Sequence, residues 1–310
     1  VLRVVGADGS VSAPIAGVPE VVSKGQGGLL DVVPHPDFAV NKLIYLTYSG
    51  QGDGGASTEL ARGRLEGDQL LQLEVLFRAV PKIPSAKHFG SRIAFAPDGS
   101  VHVSLGDRGH RDEAQNVTNH LGASIRLDQD GSIPADNPFV GGDHLPETFS
   151  FGHRNIQGMA VNPASGEVWA HEHGPKGGDE VNILKSSANF GWPVITYGTE
   201  YSGAPITHET TRPDMEQPVL YWVPSIAPSG MAFYDGDAFA DWKGDLFVGA
   251  LAGRHLRRIE LDGNEAVGQE MLLTDLGRRI RDVRAGPDGY VYVLSDGENA
   301  VLLRLEPVAQ

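Results

Sequence analysis

Hydrophobic residues along this chain recur in short runs with a period of two. "KLIYLTYS" at 42–49, "SVHVSLGD" at 100–107, "GEVWAHEHG" at 166–174, "GDLFVGALAG" at 244–253 and "GYVYVLSD" at 289–296 carry apolar, β-branched or aromatic side chains in that pattern. A period of two sends alternate side chains to opposite faces of an extended backbone, so each run predicts a strand. Ahead of each stands a second apolar segment and a turn containing Asp, Asn, Pro or Gly: "LDVVPHPDFAVN", "RIAFAPDG", "GMAVNPASG", "GMAFYDGDAFADWKG" and "DVRAGPDG". Segment, tight turn and strand together predict a hairpin, repeated five times. Helical periodicity is nearly absent.

Taking Asp31, Ile93, Met159, Met231 and Val283 as equivalent starts gives intervals of 62, 66, 72 and 52 residues. That spacing exceeds one hairpin and suits a four-stranded sheet with a functional loop, the unit of a propeller blade. The expected fold is all-β, a six-bladed β-propeller with four-stranded antiparallel blades. The sixth blade would come from weaker segments and from pairing of the chain ends, "LRVV" near the start and "VLLRLEP" at the end. A β-sandwich explains short strands but not five copies of one hairpin. No linker or shift of composition divides the chain, which predicts a single domain over 1–310.

Charge narrows the function classes. Lys and Arg number 25 against 40 for Asp and Glu, a formal charge of −15, which argues against a non-specific nucleic-acid binder. No cysteine is present, so disulfides, thiolate nucleophiles and Cys-ligated metals are excluded. Nowhere do about 18 apolar residues run unbroken, so no membrane span and a soluble chain are expected. The first residues, "VLRVVGADGSVSAPIAGVP", show no signal segment. A first residue of Val rather than Met suggests that a signal segment or another stretch was removed ahead of it.

Polar chemistry collects between the hairpins, in "SKGQGG", "AKHFGSR", "LGDRG", "FGHRNIQG", "HEHGPKGGDE", "WVPSIAPSG" and "RRIRD". In a propeller such segments converge on one mouth of the central channel. His88 is a candidate general base, with Asp107 as the carboxylate that orients it; a structural histidine and a turn aspartate are the alternative. His171 and His173, two apart, would share a strand face, but no third ligand stands at recognisable spacing and HExxH is absent. The Gly174-Pro175 turn suits a hard ion that takes backbone carbonyls, as calcium does, although many such turns bind nothing. Arg154, Arg279 and Arg281 could grip a ligand with several carboxylates, since Arg279 and Arg281 alternate through Ile280 and so project to one side. Salt bridges to acids such as Asp282 are the alternative.

The stretches "GQGGLLDVVPHPDF", "HFGSRIAFAPDGSVHVSLGD", "GHRNIQG", "EHGPKGGDEVN", "NFGWP" and "RIRDVRAGPDGYVYVLSD" resemble, in order and over about 25–305, the soluble pyrroloquinoline-quinone (PQQ)-dependent sugar dehydrogenases. Within that glucose/sorbosone dehydrogenase-like family the chain looks like the aldose sugar dehydrogenase branch. The resemblance implies a six-bladed propeller holding PQQ and calcium. It implies that His88 is the catalytic base, Asp107 its orienting carboxylate and Arg154 the stabiliser of developing charge. By the same match Gln26, His88, Arg154, Asn155, Arg279 and Arg281 contact the cofactor, while Gly174 and Pro175 hold the calcium through their carbonyls. The implied reaction oxidises a cyclic aldose to a lactone and passes electrons to an external acceptor, in the periplasm or outside the cell. Two departures stand out: Ile156 where the glucose dehydrogenase branch has proline, and Ala252 near the place of a lysine that reaches the quinone there. A calcium-dependent sugar-lactone hydrolase and a non-enzymatic binding propeller are the rival readings.

Overall fold

The structure is a computed structural model that describes residues 1–308. The chain forms two compact units, Val1–Phe151 and Gly152 onward.

The first unit contains two four-stranded antiparallel sheets. One comprises β1 (Leu29–Pro34), β2 (Leu43–Gly52), β3 (Gly55–Glu66) and β4 (Gln69–Arg78); the other comprises β5 (Ile93–Phe95), β6 (Val101–Ser104), β7 (Ser124–Leu127) and β8 (Thr148–Ser150). Their facing surfaces meet in a core of Tyr45, Leu60, Phe77, Val101, Val103 and Ile125, all buried. Ile15, Ile44, Leu46 and Leu70 form a smaller core of the same unit.

The second unit has three sheets. The first is β9 (Ile156–Val161), β10 (Val168–Glu172), β11 (Asp179–Ile183) and β12 (Leu220–Trp222). The next is β13 (Pro228–Phe233), β14 (Leu246–Ala250), β15 (His255–Asp262) and β16 (Glu265–Leu272). The last has three strands, β17 (Ile280–Ala285), β18 (Val291–Ser295) and β19 (Leu302–Leu305). Trp169, Val181, Trp222, Met231 and Val248 pack between the first two, and Phe247, Leu256, Ile280, Val283 and Val293 between the last two.

In every sheet the strands follow one another in sequence order, so the blade unit is an up-and-down meander. The five hairpins read from the alternation are its first two strands each time: β1–β2, β5–β6, β9–β10, β13–β14 and β17–β18. Burial follows the pattern. Val101 and Val103 are fully buried, and so are Val291 and Val293, whereas Leu294 between core positions of β18 is exposed.

The expected six blades are corrected to five among the described residues. The ends do not make a sixth. "LRVV" spends its hydrogen bonds locally, because the turn at Gly6–Ser10 folds the segment back so that Val5 bridges Val11. Ser12 N donates to Val4 O and Ile15 N to Leu2 O, while Val4 N donates to Ser12 Oγ. "VLLRLEP" instead supplies β19, the third strand on β18.

Candidate active site

His88 lies on the connection from β4 to β5, in the left-handed backbone region at φ 52°, followed by Gly90 at 64° and Ser91 at 100°. A non-glycine residue at positive φ is costly, so the surroundings must hold it. Three contacts do. The His88 amide donates to Gln26 Oε1 at 2.7 Å, and Gln26 is placed by its own amide bond to Ala86 O. The ring Nδ1 lies 2.6 Å from Asp107 Oδ1. Arg108, buried beside it, donates to the carbonyls of Lys87, Ser85 and Ala56 and stacks its guanidinium 3.4 Å from the Phe89 ring centroid. Burial draws the Arg108 guanidinium down to about 10, against the opposing pull of Asp107.

Asp107 is itself buried and accepts from Gly109 N at 2.7 Å. An ionised carboxylate only accepts, so Nδ1 of His88 carries a proton, and in the neutral imidazole the lone pair is on Nε2. No described residue bonds to Nε2. The imidazole is therefore oriented, and its neutral form can take a proton at Nε2.

In the second unit Arg154 is buried on the turn before β9. Its amide donates to Glu172 Oε2 at 2.5 Å, and the other oxygen of Glu172 takes His153 Nδ1 at 2.8 Å. The Arg154 guanidinium donates to His173 O at 3.0 Å and Gly174 O at 3.3 Å and stands 5.5 Å from the Trp192 ring. Asn155 follows it, buried, with its carbonyl taking the His173 amide.

The loop after β10 is held by Asp179, which accepts from Gly174 N, Ser225 Oγ, Ile226 N and Ala227 N. Burial raises Asp179 above the usual carboxylate range, with those donors pulling the other way. A Cβ on Gly174 would stand 2.0 Å from Gly177 O, so only glycine fits the turn. The carbonyl of Pro175, a buried residue, accepts no hydrogen bond among the described residues. Gly174 O, by contrast, already accepts from the Arg154 guanidinium. Arg154, Glu172, His173, Gly174, Glu180 and Trp192 are among the residues lining a pocket open to solvent.

The two histidines of this region separate. β10 ends at Glu172 with a bulge after His171. His171 is fully buried opposite Gly158, whereas His173 Nε2 donates to Pro228 O at 2.6 Å. Among the described residues no group of three or more His, Cys, Asp or Glu side chains could hold a metal ion.

Arg279 and Arg281 project to one side as their alternation predicts, and both reach Asp296. Arg279 Nε lies 2.9 Å from Oδ2, and Arg281 Nε and Nη2 lie 3.1 and 3.0 Å from Oδ1. Asp282, the acid nearest in sequence, pairs with Arg284 instead, because it points to the other face of β17. Partial burial works against ionisation of Asp296, yet the two guanidiniums hold it below the ordinary carboxylate range. Both arginine side chains stay 46% and 41% exposed. Among the described residues no hydrogen bond or ion pair joins them to Arg154.

Asp296, Arg108, Glu172 and Asp179 were not assigned roles by the sequence pattern. Asp296 had a signal, since it closes the strand paired with "RIRD". The others stood inside the quoted motifs without distinguishing spacing.

The chain matches the family model described as glucose / sorbosone dehydrogenase over residues 1–304. It is 45% identical to the aldose sugar dehydrogenase YliI of Escherichia coli K12, covering 96% of this chain and 82% of that protein. A solved glucose dehydrogenase superposes with a TM-score of 0.96 at 46% identity, covering 99% of this chain and 90% of the other. The PQQ-bound form of an aldose sugar dehydrogenase from Streptomyces coelicolor superposes with a TM-score of 0.78 at 27% identity, covering 96% and 85%.

Glu180 generates a pH prediction. Burial, reinforced by the charges of Glu172 and Asp179, pushes its carboxyl up to about 8, whereas an unfolded chain would release that proton near 4.5. Between those values the folded state holds a proton that the unfolded state has lost, so stability falls as pH rises. The slope approaches ~1.4 kcal/mol per pH unit. Glu180→Gln should flatten the decline of the urea midpoint between pH 5 and 8. An unchanged slope would remove Glu180 as its source.

Proposed function

Because the chain belongs to the glucose / sorbosone dehydrogenase family, we propose that it oxidises cyclic aldoses at the anomeric carbon to lactones with PQQ and calcium. Electrons then pass to an external acceptor. The observation that carries this reading is the 2.6 Å contact of His88 Nδ1 with buried Asp107, which leaves Nε2 as a directed base. His88 takes the proton of the anomeric hydroxyl, and Asp107 stabilises the imidazolium that results. Arg154, its guanidinium fixed by two carbonyls, stabilises negative charge that develops near the reacting carbon.

The residues fit the proposed groups. Two guanidiniums on the single Asp296 carboxylate leave one net positive charge, exposed and forked, suited to a ligand with carboxylates. Gln26, His88, Arg154 and Asn155 would complete the cofactor contacts, and the Gly174 and Pro175 carbonyls would hold calcium. When bound, these groups supply two-electron oxidising capacity and Lewis acidity. No helix among the described residues is long and apolar enough to cross a membrane. A periplasmic or extracellular place of work remains part of the reading.

Aldose oxidation should require both PQQ and calcium after rigorous removal of each. In His88→Ala, stopped-flow reduction of the loaded enzyme should slow by about 10²- to 10⁴-fold while quinone binding persists. An unchanged rate would reassign the base.

The arginines divide. Arg281→Ala should weaken quinone affinity by about 10- to 150-fold, the loss of one hydrogen bond to a charged group, and excess quinone should restore part of the activity. Arg154→Ala should stay slow at saturation, since filling the site cannot restore an interaction made in the transition state. The reverse pattern in a quinone titration would exchange the two roles.

A further inference from the structure

We propose that Lys87 makes the enzyme selective for aldoses that carry an anionic substituent, such as uronic acids. The inference rests on the reading of His88 as the base of an aldose dehydrogenase.

Lys87 immediately precedes His88, and the segment bearing both is rigidly placed. Arg108 binds the Lys87 carbonyl through Nε at 2.8 Å and the Ser85 carbonyl through Nη2, so the Lys87 backbone cannot swing away. Its aliphatic stem runs over the turn that carries Asp107: a Cβ added to Gly109 would stand 3.9 Å from Lys87 Cδ. His88 and Lys87 thus flank the same turn, one at Asp107 and the other at Gly109.

The ammonium is exposed and forms no ion pair among the described residues. Nearby carboxylates along the chain are engaged elsewhere. Asp107 is held by His88 and Gly109, and Glu113 by Asn116 and Asn119; Asp112 is exposed and makes no pair with Lys87. A second exposed cation, Lys24, stands on the turn whose Gln26 caps the His88 amide. Two exposed lysines thus stand on the segments that hold the base, on a chain of formal charge −15.

Reach decides the rest. An aldose presents its anomeric hydroxyl to His88 Nε2, because Nδ1 is occupied by Asp107. Adjacent Cα atoms are about 3.8 Å apart, and a lysine stem extends past that, so the ammonium has the reach to come within one sugar ring of the imidazole. A charge on the far side of the ring meets an unneutralised cation. An exposed pair of this kind is modest and screened by salt.

The test is kcat/KM for D-glucuronate, D-glucose 6-phosphate and D-glucose on enzyme loaded with PQQ and calcium, at low and high NaCl. The ratio of an anionic sugar to glucose should be about 2- to 5-fold at low salt and shrink at high salt. It should be lost in Lys87→Gln, kept in Lys87→Arg and inverted in Lys87→Glu. Using a ratio cancels any general loss of folded enzyme. A preference for either anion that vanishes in Lys87→Gln supports the proposal, and comparing the two tells carboxylate from phosphate. Equal ratios in wild type and Lys87→Gln, or a wild-type preference for glucose, would overturn it. Failure of every sugar to reduce the loaded protein would instead sink the dehydrogenase reading itself.

Discussion

The loops that carry His88, Arg154 and Gly174, and the strand start that carries Arg279 and Arg281, are each held by one buried or half-buried carboxylate. Asp107 takes the His88 ring and the Gly109 amide. Glu172 takes the Arg154 amide and His153, and Asp179 takes the Gly174, Ile226 and Ala227 amides with Ser225. Asp296 takes both exposed arginines. Asp31 does the same for the scaffold, since β1 supplies the carboxylate that receives the Ile93 amide of β5. Burying a carboxylate is costly unless charge-assisted hydrogen bonds offset it. Its removal would orphan two to four donors at once, so these loops have little freedom to rearrange. Positive-φ residues such as His88 persist on that account.

The meander was legible where alternation was strong. "YVYVLS" buries every second residue and "SVHVS" buries all of its residues, and both became second strands of their sheets. Outer strands such as β4 and β16 were not read individually, because their solvent faces carry charge and their apolar positions are intermittent. The sixth blade failed for a local reason. An Asp-Gly turn close behind "LRVV" closed that segment on itself before any distant strand could use its edge.

The candidate site was legible in its residues and not in its partners. His88 and Asp107 bracket one hairpin, so their meeting followed from strand direction. Arg279 and Arg281 shared a face for the same reason, but sequence proximity favoured Asp282, while the β17–β18 register delivers Asp296. His171 and His173 looked like neighbours on a strand, and a bulge parted them. Pairing across strands decides such contacts, and a single sequence records it only through register.

The central claim is that Asp107 fixes the His88 tautomer so that Nε2 is a free base. Two-bond ¹⁵N–¹H NMR of the imidazoles, with His88 identified by its loss in His88→Gln, reads the tautomer directly. The account predicts that the neutral ring carries its proton on Nδ1 with a bare Nε2, with the Nε2–H form gaining population in Asp107→Ala. An Nε2–H tautomer in the wild-type protein would contradict it.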